Sequence, residues 1–327
     1  MSRFFRSVLL GVTVFFLFPG TAPAPLVYRE GEGWSYEPVG GRKWLRQRAK
    51  DQVEVAQAAF DRKDYSTAAK AANRTVRVWP ASDYAPQAQY LLGRSLQAQG
   101  QDERAFKAYQ KALEKFPKYQ NFVEVQERQY EIANRFLAGK RFRLWGLFPF
   151  LPSMQKTADL YEKLVKNGPY SDVASQAQMK IGTAREKRKD YPLAVKAYEL
   201  AADRYHDRPE IAADALYRAG LAYNKQAKTA EYDQNVAAQA IATFSDFISL
   251  YPQDPRADEA RKIIDSLKTE QARGSFEIAR YYEKRRRFDG ALVYYNDVLL
   301  RDPNYKRAET AKQKIESLKK RADLTVN

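Results

Sequence analysis

Residues 86–117 read PQAQYLLGRSLQAQGQDERAFKAYQKALEKFP, and the spacing of small, aromatic and apolar residues in this stretch decides the fold. With Pro86 counted as position 1, Leu92 and Gly93 stand at 7 and 8, Ala105 at 20, Tyr109 at 24, Ala112 at 27 and Pro117 at 32. Small residues at 8 and 20 let two antiparallel helices approach closely, and the aromatic ring at 24 fills the groove between them. Proline at 32 has no backbone N–H to donate, so the second helix stops there.

The same template recurs along the chain. Ahead of Pro80 lie Ala56, Ala68 and Ala72; ahead of His206 lie Ile181, Gly182, Ala194, Tyr198 and Ala201. Ahead of Pro252 lie Gly220, Tyr223, Ala240, Phe244 and Phe247; ahead of Pro303 lie Ala279, Tyr282, Ala291, Tyr295 and Val298. A weaker copy starts near Val123 and resumes with Ala158, Tyr161 and Leu164 before Pro169. Helix pairs recurring near a 34-residue period with these anchors are the tetratricopeptide pattern. The expected fold is all-α: a right-handed solenoid of about six repeats, closed by a capping helix over 306–321 with Ala308, Ala311, Ile315 and Leu318 on its apolar face. Three units exceed the period. Residues 139–152, GKRFRLWGLFPFLP, separate the two helices of the third unit, and 225–235 lengthen a helix or loop of the fifth. Residues 258–286 contain no proline and one glycine, which predicts a single long first helix in the sixth.

The organisation expected is a signal at 1–24, an extended lead-in at 25–44, N-terminal repeats at 45–205, C-terminal repeats with the capping helix at 206–322, and a tail at 323–327. Residues 1–24 divide as a secretion signal does: Arg3 and Arg6, an apolar run over 8–18, then Ala22 and Ala24 in an A-x-A pattern. They predict export, as a cleaved signal or as an uncleaved anchor. The lead-in has no helical period; Trp34 and Tyr36 either pin it to the solenoid or make it a strap for a partner.

Across 327 residues, 56 Lys and Arg face 40 Asp and Glu, giving +16. The absence of cysteine excludes disulfides, thiolate nucleophiles, cysteine-bound metals and a lipid-modified cysteine within these residues. A single histidine, His206, excludes a two-histidine metal site and stands where a turn proline is usual. No G-x-G-x-x-G, P-loop, H-E-x-x-H or G-x-S-x-G occurs, so no enzyme, cofactor or metal is expected. Glu124 and Glu127, with Arg128 beside them, read as a salt-bridged helix surface rather than an acid–base pair.

Binding is the remaining class. The basic runs Lys140-Arg141-Phe142-Arg143, 185–189, 284–287 and 319–321 fall in different units without the aromatic interleaving of a single-strand nucleic-acid site. They are either solvated faces or ground for anionic lipid head groups or an acidic partner, and no nucleic acid is expected. The apolar stretch 144–151 either folds back over a helix pair or, beside Arg141 and Arg143, forms a wedge of Trp145, Phe148 and Phe150 that touches a membrane or partner. Tyr90, Arg94 and Gln97, at i, i+4 and i+7, either grip an extended peptide in the solenoid groove or serve ordinary roles, Tyr90 in packing within the repeat and the other two facing solvent.

Asp233-Gln234 ahead of Ala240-x-x-x-Phe244-x-x-Phe247-x-x-x-Tyr251-Pro252, then Ile278-Ala279-Arg280-Tyr281-Tyr282 with Ala291 and Tyr295, exceed what generic repeats require. On these residues the chain, over roughly 45–322, resembles the BamD (YfiO-like) family of the outer-membrane β-barrel assembly machinery. The resemblance implies a scaffold at the periplasmic face of the outer membrane. Its N-terminal repeats would bind unfolded barrel precursors, and its C-terminal repeats would dock the POTRA domains of a BamA-like barrel subunit. It also implies that a basic residue after the paired tyrosines touches that partner; the matching position is Arg285, with Arg286 and Arg287 alongside. Family members usually carry a lipidated cysteine, and this chain departs from them there. Rival readings are an envelope adaptor of the Tol–Pal type and an accessory subunit of polysaccharide export.

Overall fold

The computed structural model describes residues 26–29, 33–36, 44–144, 148–149, 152–229 and 234–326. Their helices form six consecutive pairs: α1 (Ala49–Asp61) with α2 (Tyr65–Val78), α3 (Ala85–Ala98) with α4 (Asp102–Lys115), and α5 (Phe122–Leu137) with α6 (Met154–Asn167). Then come α7 (Asp172–Lys187) with α8 (Tyr191–Arg204), α9 (Pro209–Thr229) with α10 (Gln234–Leu250), and α11 (Ala257–Lys284) with α12 (Phe288–Arg301). A last helix, α13 (Ala308–Val326), packs on α12. Each helix packs chiefly on its neighbours in sequence, so the chain is an all-α tetratricopeptide solenoid.

Residue size at a few positions explains the pairing. Ala68, Ala105, Ala194 and Ala291, all at position 20, have no exposed surface. A Cβ added to Gly93 or Gly182 would overlap the Tyr109 or Tyr198 ring, and one on Gly220 would lie 2.8 Å from Phe244. The aromatic ring at 24 therefore occupies the volume that the small residue at 8 leaves free. Its hydroxyl then reaches back to position 12: Tyr109 Oη donates to Gln97 Oε1 at 2.7 Å, Tyr198 to Glu186 Oε2 at 2.8 Å and Tyr295 to Glu283 Oε2 at 2.7 Å. In the third unit Tyr161 donates to Asn134 Oδ1 at 2.6 Å across the insertion.

The long units resolve in two ways. The fifth lengthens both helices, and α11 is a single helix of 28 residues, about 42 Å at 1.5 Å per residue. In the third, two short strands, β3 (Arg143–Leu144) and β4 (Phe148–Pro149), pair antiparallel between α5 and α6. Phe142, just before them, is buried and stacked on Phe136 with ring centroids 4.1 Å apart. The lead-in, expected to be merely extended, holds a second antiparallel pair, β1 (Leu26–Arg29) with β2 (Gly33–Tyr36). The last helix continues to Val326, into the residues expected as a tail at 323–327, because no glycine or proline follows Ala308 to stop it. The expected signal at 1–24 lies outside the described residues.

The fifth unit breaks the hydroxyl lock. Its aromatic residue is Phe244, and Asn224 Oδ1, at position 12, is buried with no hydrogen-bond partner among the described residues. Phe244→Tyr should therefore stabilise the protein by about 1 kcal/mol, and Tyr109→Phe, which strands Gln97, should destabilise it by about the same amount. Urea unfolding of the two variants checks the opposite signs.

Candidate functional site

The first candidate region lies where units one to three meet. A cleft of about 870 Å³ is lined by Tyr90, Arg94, Phe116, Pro117, Lys118 and Tyr119, among others. The Arg94 guanidinium lies over the Phe60 ring at 4.5 Å and the Tyr90 ring at 5.7 Å, which fixes a half-exposed cation on an aromatic floor. Tyr90 itself is only 6% exposed. Its hydroxyl donates to Glu124, which also accepts from Asn121 Nδ2 at 2.9 Å and pairs with Arg128 at 2.7 Å. Gln97 spends its amide oxygen on the Tyr109 lock. Of the three groove residues read from the sequence, Arg94 presents its charge to the cleft, Tyr90 forms part of the wall, and Gln97 accepts from Tyr109 within its repeat while its Nε2 donates to Glu131 of the next unit at 3.4 Å.

Burial pushes the Glu124 carboxyl up, but hydrogen bonds from Tyr90, Asn121 and Arg128 outweigh it and hold the group at about 2. Sequence reasoning found the Arg128 pairing and missed Tyr90. The signal was available, since Tyr90 and Glu124 are 34 residues apart, one repeat period, as are Gln99 and Tyr65, whose contact also ties adjacent units.

The second region is the turn between α11 and α12. The fold separates its three arginines, all exposed. Arg285 lies over the ring of Tyr281, 4.5 Å from its centroid, and that tyrosine is 52% exposed. Arg286 lines a cavity of about 620 Å³ with Arg280, Glu283, Lys284, Phe288 and Lys314. Arg287 precedes α12, its N–H donating to Tyr282 O at 3.0 Å. Lys314 of α13 pairs with Glu283 at 2.6 Å and Tyr295 donates to the same carboxylate, so the turn rests on a braced floor. Gln271 Nε2 donates to Gln234 O, at the start of α10. The remaining 13 residues of α11, 272–284, therefore carry the turn roughly 20 Å beyond that point.

Trp145 and Phe150 of the expected wedge lie outside the described residues, and Phe148 is placed in β4 by its backbone. His206 sits in the turn after α8, its Nδ1 2.8 Å from Asp203 O, as a turn residue would. No helix among the described residues is long and apolar enough to cross a membrane.

A family model described as YfiO, outer membrane lipoprotein, matches residues 152–324, more than half of the chain. The chain belongs to the YfiO family. The YfiO match includes the arginine turn and begins where the insertion ends, so the cleft at Tyr90 and Arg94 lies outside it. A general tetratricopeptide repeat model matches residues 55–119 instead. Outer membrane protein assembly factor BamD of Caulobacter vibrioides is 25% identical over 146 residues, 45% of this chain and 48% of that protein. The chain thus spans about half the length of this curated relative. Among solved structures, the C-terminal part of a TPR repeat-containing protein from Cytophaga hutchinsonii is 17% identical, with 81% of this chain and 87% of that one covered at a TM-score of 0.36. A tetratricopeptide repeat protein from Parabacteroides merdae is 14% identical, with 83% and 98% covered at 0.34.

The Glu124 cluster predicts a pH response. A carboxyl held low in the fold contributes stability that is present above its unfolded value of about 4.3. That contribution is lost as pH falls through the folded value of about 2. The melting temperature should fall between pH 5 and 2 in the parent protein, and Glu124→Gln should be less stable at neutral pH with a shallower fall. Parallel slopes in the two proteins would remove Glu124 from the explanation.

Proposed function

We propose that this protein is a non-enzymatic scaffold of outer-membrane protein assembly, working at the periplasmic face of that membrane. The C-terminal repeats dock the POTRA domains of a BamA-like barrel subunit through Arg285 and its neighbours. The N-terminal repeats hold unfolded barrel precursors against the cleft at Arg94. The observation that carries the reading is the YfiO match over the C-terminal repeats, which contains the arginine turn. Its geometry supports docking. Arg285 stacked on a half-exposed Tyr281 presents an arginine and an aromatic ring side by side, the residue types that dominate binding energy at protein interfaces. The name of the Caulobacter relative, an outer membrane protein assembly factor, points the same way.

The division of labour follows from charge and shape. The arginine turn offers a compact cationic point on a rigid floor, suited to an acidic patch on a folded partner. The cleft offers an aromatic floor, a proline-bearing rim and one half-exposed arginine, suited to an extended chain of loose sequence.

In-cell photo-crosslinking from position 285 should capture a POTRA-containing barrel protein, and Arg285→Ala should weaken that complex about tenfold or more while leaving the melting curve unchanged. Capture of Tol–Pal or polysaccharide-export components in its place would sink the assembly reading and leave the solenoid as an adaptor for another envelope system.

A further inference from the structure

The turn between α11 and α12 carries positive charge in two places. Arg285 lies over the Tyr281 ring, whereas Lys284 and Arg286 line the cavity of about 620 Å³ with Arg280, Glu283, Phe288 and Lys314. The charges around that cavity do not balance. Arg280 and Arg307 both pair with Glu277, each at 3.0 Å. Lys314 pairs with Glu283 at 2.6 Å, and the same carboxylate accepts from Tyr295 at 2.7 Å. Three cations thus share two carboxylates, and Lys284 and Arg286, both exposed, have no ion-pair partner among the described residues. Asp289, in the first turn of α12, is exposed and does not line the cavity.

Arg286 holds its place against backbone preference. Its φ is 59°, in the left-handed region, and the equivalent residue of the second unit is Gly100, at 70°. The turn itself imposes this conformation: the N–H groups of Arg285 and Arg287 donate to Tyr282 O at 3.1 and 3.0 Å, and that of Arg286 to Glu283 O at 2.9 Å. Tyr282 also stacks on Tyr294 with ring centroids 5.6 Å apart, and a Cβ added to Gly290 would lie 2.8 Å from its ring, so the turn is fixed against α12. Glycine would satisfy the same turn without strain and without adding charge to a cationic cavity. Arg286 is exposed and has no ion pair to offset either cost.

We propose that this cavity receives an acidic side chain of the partner that docks at the turn, a different one from the acid that meets Arg285. The inference rests on the docking reading given above, and it requires two carboxylates on the partner's docking segment. Charge complementarity selects the occupant. An apolar group in the cavity would strip water from Lys284 and Arg286 without pairing either, while a carboxylate meets the guanidinium fork with two parallel hydrogen bonds. Arg285 is held over Tyr281, outside the cavity lining, so each arginine takes its own carboxylate. Their adjacency in sequence lets one folded partner engage both.

The test uses the full chain bound to the partner that photo-crosslinking from position 285 captures. Arg286→Gly should weaken that complex about tenfold, and Arg286→Lys, which keeps the charge, should lose less. Because glycine accepts the φ of 59°, Arg286→Gly should melt no lower than the parent, so that binding and stability move apart. The control Lys63→Gly removes the same charge from the same repeat position of the first unit, where φ is 64°, and should bind like the parent. Combined with Arg285→Ala, the Arg286→Gly loss should add in full, since the two arginines meet different acids. Absence of any captured chain would overturn the docking reading and the role of the cavity with it. With a partner captured, Arg286→Gly binding like the parent, an equal loss in the control, or a combined loss no larger than either single loss would overturn the second acid alone and leave the docking at Arg285 standing.

Discussion

Everything in this molecule rests on how closely two helices can approach when glycine or alanine stands at positions 8 and 20 of a unit. That approach leaves room for one aromatic ring, and the ring's hydroxyl secures the pair through a hydrogen bond twelve residues back. Because the unit is set by contacts within itself and with its sequence neighbours, it repeats with a fixed offset. Side chains one period apart then face each other, as Tyr90 and Glu124 do. The same locality makes the solenoid tolerant of added chain. Residues inserted between α5 and α6 leave the Tyr161 to Asn134 lock intact, since the insertion enters and leaves at one edge.

What could be read from the sequence was what depends on residue size and period. The six helix pairs, the unbroken α11 and the capping helix all follow from small, aromatic and helix-breaking positions. What escaped depends on short-range chain reversal or on partners outside the unit. The β1–β2 pair gives no helical or strand period long enough to notice in four residues a side. The run of α13 to Val326 was missed because the apolar face fades after Leu318, while nothing in the residues that follow stops a helix. At the candidate sites, the arginines were visible as a run, but their division into one stacked on Tyr281, one lining a cavity and one preceding α12 is a property of the turn. The basic runs of units three and four looked unrelated in sequence, yet Lys187 of one reaches Leu137 O at 2.7 Å, just ahead of the other. Their meeting follows from repeat topology, in which every turn from first to second helix falls on the same edge.

That edge also carries a recurring backbone feature. Position 15 is left-handed in four units, with φ of 64° at Lys63, 70° at Gly100, 63° at Lys189 and 59° at Arg286. Glycine adopts this conformation freely, while other residues are strained by roughly 1–2 kcal/mol. Three units thus keep a cation where the backbone favours glycine. Strain alone does not mark function, and Lys63 shows why: Asp61 and Asp64 flank it, and Asp64 caps α2 through Thr67 N at 3.1 Å, so its turn is a satisfied local structure.

The surroundings separate the other two. Lys189 sits between Arg188 and Asp190, and Arg286 lines a cavity with Arg280, Glu283, Lys284 and Lys314. Around Arg286 the acids are engaged, Glu283 with Lys314 and Glu277 with Arg280, which leaves Lys284 and Arg286 as an excess of positive charge that self-repulsion opposes. A crowded cation held in a strained backbone carries two separate costs, and only the repulsion would fall on meeting an anion, since the left-handed conformation stays as it is. Neighbouring charge, more than strain or exposure, therefore marks the Arg286 turn off from the other two, although all three share a position in the repeat.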